Sequence, residues 1–501
     1  MCKGELPMSF WEMLVQQDNV AFTENGDRAL KSSLSGCGDL LFFGGMGKDP
    51  STSVSEIENV FRNALSENPL YAIRLLFYNR DIRSGQGARR FFRIALQYLQ
   101  KTDEKLCSEI VKYIPEYGRW DDLLCIINTG SNAVTETAMQ LIKNTLIEDT
   151  KALKNGKSIS LLAKWLPSEN ASSYETKKKA SYIRTWLGMT SKEYRKTLSG
   201  LRAYLKVVER NISSKNYEGI NYSCVPSNAM MKYTKAFERN DNARYTNYLE
   251  LLKNGKAKVN ASTLYPFDVI KEYKGYFLEN PLTEAQWKAL PDFFNGKKDN
   301  SLVVADVSGS MSGNPLNACI GLAIYIAEHN TGVYHDKFIT FSHRPTLQTL
   351  NGNTLAKRVK NLSRAHWDMS TNLDSVFKLM YDTAISNNVS QDELPSMIYI
   401  VSDMQFDQCC RNADKSTYTK WKEKFENAGY KLPVIVFWNV SDRCKTVPVK
   451  FNENGTMLVS GYSPAVCKFI MSDEKPNTSE DLIKSVVESP RYSCILSNIT
   501  K

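Results

Sequence analysis

Up to about residue 290, apolar positions in this chain recur at helical spacing. "SVSEIENVFRNAL" (53–65) opens on serines fit to cap a helix and then places apolar residues three and four apart. "ARRFFRIALQYLQ", "EKLCSEIVKYI" and "AVTETAMQLIKNTLIEDT" follow the same pattern, separated by short turns. Successive helices of this length predict a helical-repeat (HEAT-like) array, although no clean sequence period is visible. From about residue 300 the pattern changes. "SLVVAD" (301–306), "KFITFS" (337–342), "MIYIVSD" (397–403) and "VIVFWN" (434–439) are short β-rich runs, each ending in a polar residue. Helical patterns, "NPLNACIGLAIYIAEHN" (314–330) and "NLDSVFKLMYDTAI" (372–385), lie between them. Continuous apolar strands alternating with helices predict a parallel sheet covered on both faces, a doubly wound α/β domain. The expected organisation is therefore multidomain, α followed by α/β, with 1–295 helical and 296–501 α/β.

Composition agrees with a folded protein. The chain has 501 residues, more than one core accommodates, with 42% hydrophobic and 11% aromatic residues. Its opening, "MCKGELPMSFWEMLVQQDNV", lacks the continuous apolar core of a signal peptide, and stretches such as "ACIGLAIYIA" are too short to span a bilayer. A soluble, cytoplasmic protein without membrane partners is expected. The 11 cysteines include no CxxC pair, and the neighbours Cys409 and Cys410 are poorly placed to bridge each other. The four histidines, His329, His335, His343 and His366, have no cysteine cluster beside them, so a zinc site is not expected.

Charge is uneven. The formal net charge is +10, yet residues 151–300 carry twenty-seven basic and fourteen acidic side chains, a balance of +13. A local basic field attracts polyanions, with nucleic acid first among them and a solvated surface the plain alternative. Within this region, "ETKKKASYIRTWLGMTSKEYRKTLSGLRAYLKVVER" (175–210) places Leu198, Leu201, Leu205 and Val208 on one predicted buried stripe. Arg195, Arg202, Lys206 and Arg210 share another face, and Lys177, Lys178 and Lys179 stand upstream. Tyr182, Trp186, Tyr194 and Tyr204 interleave. Guanidinium groups that hold phosphates, beside rings that stack on bases, suit RNA. Two other stretches read mainly as structure. "RDIRSGQGARR" is an inter-helix turn with ion pairs at Arg80, Asp81 and Arg83, or an anion site at a helix start. "YIPEYGRWDDLL" stops a helix at Pro115 and Gly118, caps the next with Asp121 or Asp122, and packs Trp120 inside.

The α/β half carries the sharper chemistry. "DVSGSMSG" (306–313) lies at the carboxyl end of the first predicted strand, where open α/β sheets bind ligands. Asp306, Ser308 and Ser310 follow D-x-S-x-S, and alternate positions of a tight loop direct their oxygens together. Thr371, just before a helix, and Asp403, closing the strand "MIYIVSD", add two more oxygens. An all-oxygen set suits Mg²⁺ or another hard divalent cation. No nucleophile with an adjacent base is evident, so binding without turnover is expected.

These five residues resemble, in order and context, the metal-ion-dependent adhesion site of von Willebrand factor A domains. In that family the serines and threonine bind the metal directly and the aspartates act largely through water. An acidic group from a partner completes the shell. A helical-repeat half before such a domain is similar to the TROVE architecture of the Ro autoantigen family, with "RDIRSGQG" and "GRWDDLL" as shared elements. "SLLAKWLPSENASS", "YRKTLSGLRAYLKVVE" and "STLYPFDVI" resemble more closely an uncharacterised family of TROVE-like proteins with a von Willebrand A domain. In the Ro family the repeats close into a ring that binds small structured RNAs and RNA ends, and the A domain braces the ring's two ends. The resemblance implies a non-enzymatic, RNA-binding, Mg²⁺-binding protein. A metal-dependent module that captures an acidic protein ligand is the main alternative, and a metal-dependent nuclease the third.

Overall fold

The computed structural model describes residues 17–45, 52–127, 132–273, 277–297, 300–341, 344–365, 371–407, 416–472 and 475–497. It is a mixed α/β structure, with a helical region followed by a sheet of mostly parallel strands. The described chain begins with an antiparallel hairpin, β1 (Val20–Phe22) and β2 (Arg28–Leu30). Helices then succeed one another to residue 288. The first long one, Val54–Glu67, starts with a capping box in which Ser53 and Glu56 satisfy each other's amides. Asn68 ends it and caps the next, Pro69–Arg80, whose proline occupies the first turn, where no amide partner is needed.

Among the described residues the C-terminal sheet has six strands: β3 (Ser301–Ala305), β4 (Lys337–Thr340), β5 (Leu347–Thr349), β6 (Met397–Ser402), β7 (Val434–Asn439) and β8 (Thr456–Ser460). Their order is β5-β4-β3-β6-β7-β8, parallel throughout except for the edge strand β5. Side-chain alternation divides the strands between two cores. Leu302, Val304, Ile398, Ile400, Ile435 and Phe437 face the helices Leu373–Ser386 and Thr417–Asn427. Val303, Ala305, Tyr399, Val401, Val436 and Trp438 face the other way, into a cluster that runs on without interruption through the helical half to Ile57 and Phe61.

Three contacts explain that continuity. Helix Gly36–Gly44 packs between Val54–Glu67 and β8, with Ser460 Oγ donating to Leu41 O at 2.9 Å. Helix Pro266–Ile270 packs on Asn314–His329 at Gly321, where a Cβ would stand 3.0 Å from Phe267 N. The turn 81–88 is a buried joint. Asp81 accepts from the Arg491 guanidinium and, at 3.0 Å, from Tyr492 Oη, while Tyr265 Oη donates to Ile82 O at 3.0 Å. A Cβ on Gly85 would fall 1.8 Å from Tyr78 O, so only glycine fits this turn. The beginning and end of the helical half therefore meet each other, and both are seated on the C-terminal half. The division between 295 and 296 separates the chain but not the packing.

The turn at 81–88 is thus occupied by protein, not held open for an anion. Arg80 pairs with Asp122 at 2.7 Å, both buried. Asp122 also accepts from Arg93 Nε at 2.6 Å and from its own cap amide, Arg119 N, at 2.9 Å. Trp120 is buried in the main core.

The basic region departs from expectation in one respect. Helix Ser191–Tyr204 ends there, Lys206 adopts a left-handed φ of 49°, and a new helix spans Val208–Ser213. Leu198 and Leu201 are buried in the main core, whereas Val208 belongs to a separate cluster with Met230, Phe237 and Tyr245. The single buried stripe through 208 is broken, and Lys206 and Arg210 leave the helix face of Arg195 and Arg202. No helix among the described residues is long and apolar enough to cross a membrane.

Candidate functional site

Strands β3 and β6 are neighbours whose following connections diverge to opposite edges of the sheet. The crevice at their carboxyl ends is a topological switch point. Asp306 follows β3 and Asp403 follows β6, so the parallel register delivers both carboxylates to this crevice. Asp306 is fully buried. Its Oδ1 accepts from Ser308 N at 2.9 Å and its Oδ2 from Ser402 Oγ at 2.6 Å. Ser308 Oγ lies 3.0 Å from Ser310 Oγ, and Ser310 is exposed at the rim. Asp403, 3% exposed, accepts from Gln405 N at 3.1 Å. Thr371, 1% exposed, precedes the Asn372 cap of helix Leu373–Ser386, and its carbonyl accepts from Asp407 N at 3.1 Å.

Burial, and next to it the Asp403 charge, hold the Asp306 carboxyl well above the usual carboxylate range. Hydroxyl and amide donation from Ser402 and Ser308 pulls the other way. Two carboxylates held close enough to repel, set among the hydroxyls of Ser308, Ser310 and Ser402, form an oxygen donor set that fits a hard divalent cation. The structure thus brings Asp306, Ser308, Ser310 and Asp403 into one crevice, with Thr371 in the segment hydrogen-bonded to its wall. Ser402 was missed by sequence reasoning. Its position directly before Asp403, at a strand end facing the first strand, was the available signal. Cys409, Cys410, His343 and His366 lie outside the described residues. Among those described, no three His, Cys, Asp or Glu side chains cluster as metal ligands.

The basic candidates separate into two kinds. Lys177, Lys178, Arg195, Lys206 and Arg210 are exposed. Arg202 is turned inward: Nε donates to Ala163 O at 2.8 Å, Nη1 to Ser168 Oγ at 2.8 Å and Nη2 to Leu166 O at 2.7 Å. Burial pulls its guanidinium below the usual range. Lys179 likewise donates to Leu124 O at 2.6 Å, and burial lowers it too. Both therefore serve first to satisfy carbonyls of neighbouring segments, a correction to the phosphate-contact expectation. Tyr194 is also withdrawn, fully buried with Oη donating to Pro167 O.

A groove of about 980 Å³ nevertheless reunites Arg195, Arg202 and Arg210. Lys164 and Lys232 complete five basic side chains against two acidic ones, Glu169 and Glu209. Trp165 and Tyr233 supply ring surface, with Arg119 over the Trp165 ring at 4.6 Å and Lys232 over Tyr233 at 5.0 Å. Lys164, Trp165, Lys232 and Tyr233 were not singled out in the sequence, because only the fold brings three separate helices around Arg195.

Comparison with known proteins matches residues 23–128 and 169–298 to a domain of unknown function, DUF2828. Residues 300–493 match a second domain of unknown function, DUF7788. An uncharacterised protein of Acanthamoeba polyphaga mimivirus is 33% identical over 500 residues, covering 93% of this chain and 87% of the viral one.

Proposed function

We propose that this chain, which belongs to the same family as the uncharacterised mimivirus protein, is a non-enzymatic RNA-binding protein. Its helical half holds RNA on the basic groove. Its C-terminal half is a von Willebrand A-type domain in which Asp306, Ser308, Ser310, Thr371 and Asp403 hold Mg²⁺. The observation that carries the RNA reading is the groove itself, where Lys164, Arg195, Arg210 and Lys232 face Glu169 and Glu209 with indole and phenol rings beside them, Arg202 being committed to the groove wall. A TROVE-like layout is supported by the return of the helical half to its own start, with both ends seated on the C-terminal half. The buried carboxylate pair supports the cation, which supplies a residual positive charge at the exposed rim beside Ser310.

That rim also favours a second reading, in which a partner's carboxylate completes the metal shell and the helical half is a scaffold. The test is crosslinking and sequencing of nucleic acid that copurifies with the intact protein, beside a variant carrying Glu at Lys177, Lys178, Arg195, Lys206 and Arg210. Enriched RNA that the variant loses supports RNA binding. No enrichment in either protein shifts the assignment to metal-dependent protein capture.

A further inference from the structure

The hairpin β1–β2 precedes the helical half in sequence, yet its turn closes on the segment that follows Asp403. Thr23 Oγ1 donates to Phe406 O at 2.6 Å, Glu24 N to Gln405 Oε1 at 2.7 Å, and Asn25 Nδ2 to Gln405 O at 2.7 Å. Gly26 and Asp407 form an antiparallel bridge. Asp407 N reaches Thr371 O, and Gln405 N holds the Asp403 carboxylate. One hairpin turn therefore grips the backbone that orients two of the five candidate ligands. Between them stands a strained joint. Met404, next to Asp403, has a left-handed φ of 62°, a conformation unfavourable to a side chain with a Cβ. Such a conformation persists where its surroundings over-determine it. Here they do so from both sides: Ser402 Oγ accepts from Met404 N at 3.0 Å, the Met404 side chain is buried in the sheet's second core, and the hairpin pins Gln405 and Phe406.

The far end of the hairpin leads into the helical half. Leu30 and Val447 exchange backbone hydrogen bonds at 2.8 Å, Ser33 O accepts from Phe451 N at 3.0 Å, and helix Gly36–Gly44 follows directly. We propose that Thr23 and Asn25 are positioning residues for the cation crevice: the hairpin turn holds the strained Asp403–Asp407 segment in its ligating conformation, so that hairpin docking and cation binding are thermodynamically linked. The inference rests on the metal reading above. Linkage is reciprocal, so a cation in the crevice tightens the hairpin by the same factor by which the docked hairpin tightens the cation. The helical half can thereby set cation affinity without touching the ion.

The test uses the full chain and Mg²⁺ alone. Isothermal titration compares wild type, Thr23→Val with Asn25→Ala, and Ser308→Ala with Ser310→Ala, each checked for folding by circular dichroism. The hairpin variant is expected to bind Mg²⁺ about tenfold more weakly, within the usual range of such couplings. In the wild type and the serine variant, hydrogen exchange is read at the Gly26 and Leu30 amides, which is informative even if the hairpin variant misfolds. Mg²⁺ should slow exchange there, and should not do so in the serine variant, a response that a merely structural hairpin would not give. Wild type that binds no cation overturns the metal reading and the inference with it. Wild type that binds Mg²⁺ with unprotected hairpin amides, or a folded hairpin variant of unchanged affinity, overturns the inference alone.

Discussion

Arg202 and Arg195 sit on one helix and line one groove, yet the structure gives them opposite roles, and replacing each by Ala separates them. Arg202 donates three hydrogen bonds, two of them to the carbonyls of Ala163 and Leu166 around the short helix Leu162–Trp165. A hydrogen bond from a charged donor is worth about 1.5 kcal/mol or more, and removing this one donor strips all three acceptors at once. Discounting for partial exposure and rehydration of the carbonyls, Arg202→Ala should lower stability by about 3 kcal/mol. Arg202→Lys, a point donor that satisfies one acceptor, should recover about a third of that loss. Arg195 is exposed and makes one local bond, to Ser191 O at 3.2 Å, so its loss should change stability by less than about 0.5 kcal/mol. Urea unfolding measures these differences. In parallel, fluorescence anisotropy with a labelled single-stranded RNA measures affinity against salt. Losing one phosphate contact lowers the slope of log affinity on log salt by about 0.7 for a single strand. Arg195→Ala should show that decrement and Arg202→Ala should not. Arg202→Ala with wild-type stability and a reduced salt slope would refute the assignment.

Two further outcomes test the buried charges. Asp122→Ala leaves Arg80, 3% exposed, without its carboxylate, and should destabilise the protein by about 3–5 kcal/mol in urea, against about 1 kcal/mol for the more accessible Asp121→Ala; equal losses would contradict this ranking. At the hairpin, burial pushes the Asp27 carboxyl from 3.8 up to about 6, with Asp374 and Asp407 adding to the rise. The folded state thus holds this proton more tightly than the unfolded chain. Its contribution is full below about pH 4 and is lost as pH rises through about 6, by about 3 kcal/mol at most. The stability difference between wild type and Asp27→Asn, measured from pH 4 to pH 7.5, should shift against the wild type as pH rises, and a flat difference would show that Asp27 does not titrate there.

Much of the crevice was legible because its residues punctuate regular structure. Asp306 and Asp403 each end an apolar run, Thr371 precedes a helix, and β7 (Val434–Asn439) matches its predicted run residue for residue. Strands β5 and β8 escaped notice. "LQT" is three residues of mixed polarity on an edge, and "TMLVS" is bounded by polar residues that read equally well as a loop. The helix break at 205–207 contains neither Gly nor Pro, so local propensity gives no warning of the left-handed Lys206. Face arithmetic placed Arg202 beside Arg195 correctly. It could not say that the segment 163–168 would cover one and leave the other in solvent. The hairpin's grip on residues 405–407 joins positions about 380 apart in sequence through three-residue strands, and no periodicity records such a contact.

The apolar cluster that runs from helix Val54–Glu67 to Trp438 and Val459 bears on how such a protein is inherited. Domains that meet only through an exposed linker can be shuffled between genes, since each keeps its own interior. Here a cut at 298–300 would bare helix Asn314–His329 around Gly321 and the end of β8 at Ser460 on one side, and the facing surfaces of helices Pro266–Ile270 and Gly36–Gly44 on the other. Recombination that separated the two halves would yield two sticky, marginal polypeptides, whereas drift within the joined chain need only preserve one shared interior. A shared interior thus favours keeping the two halves on one polypeptide.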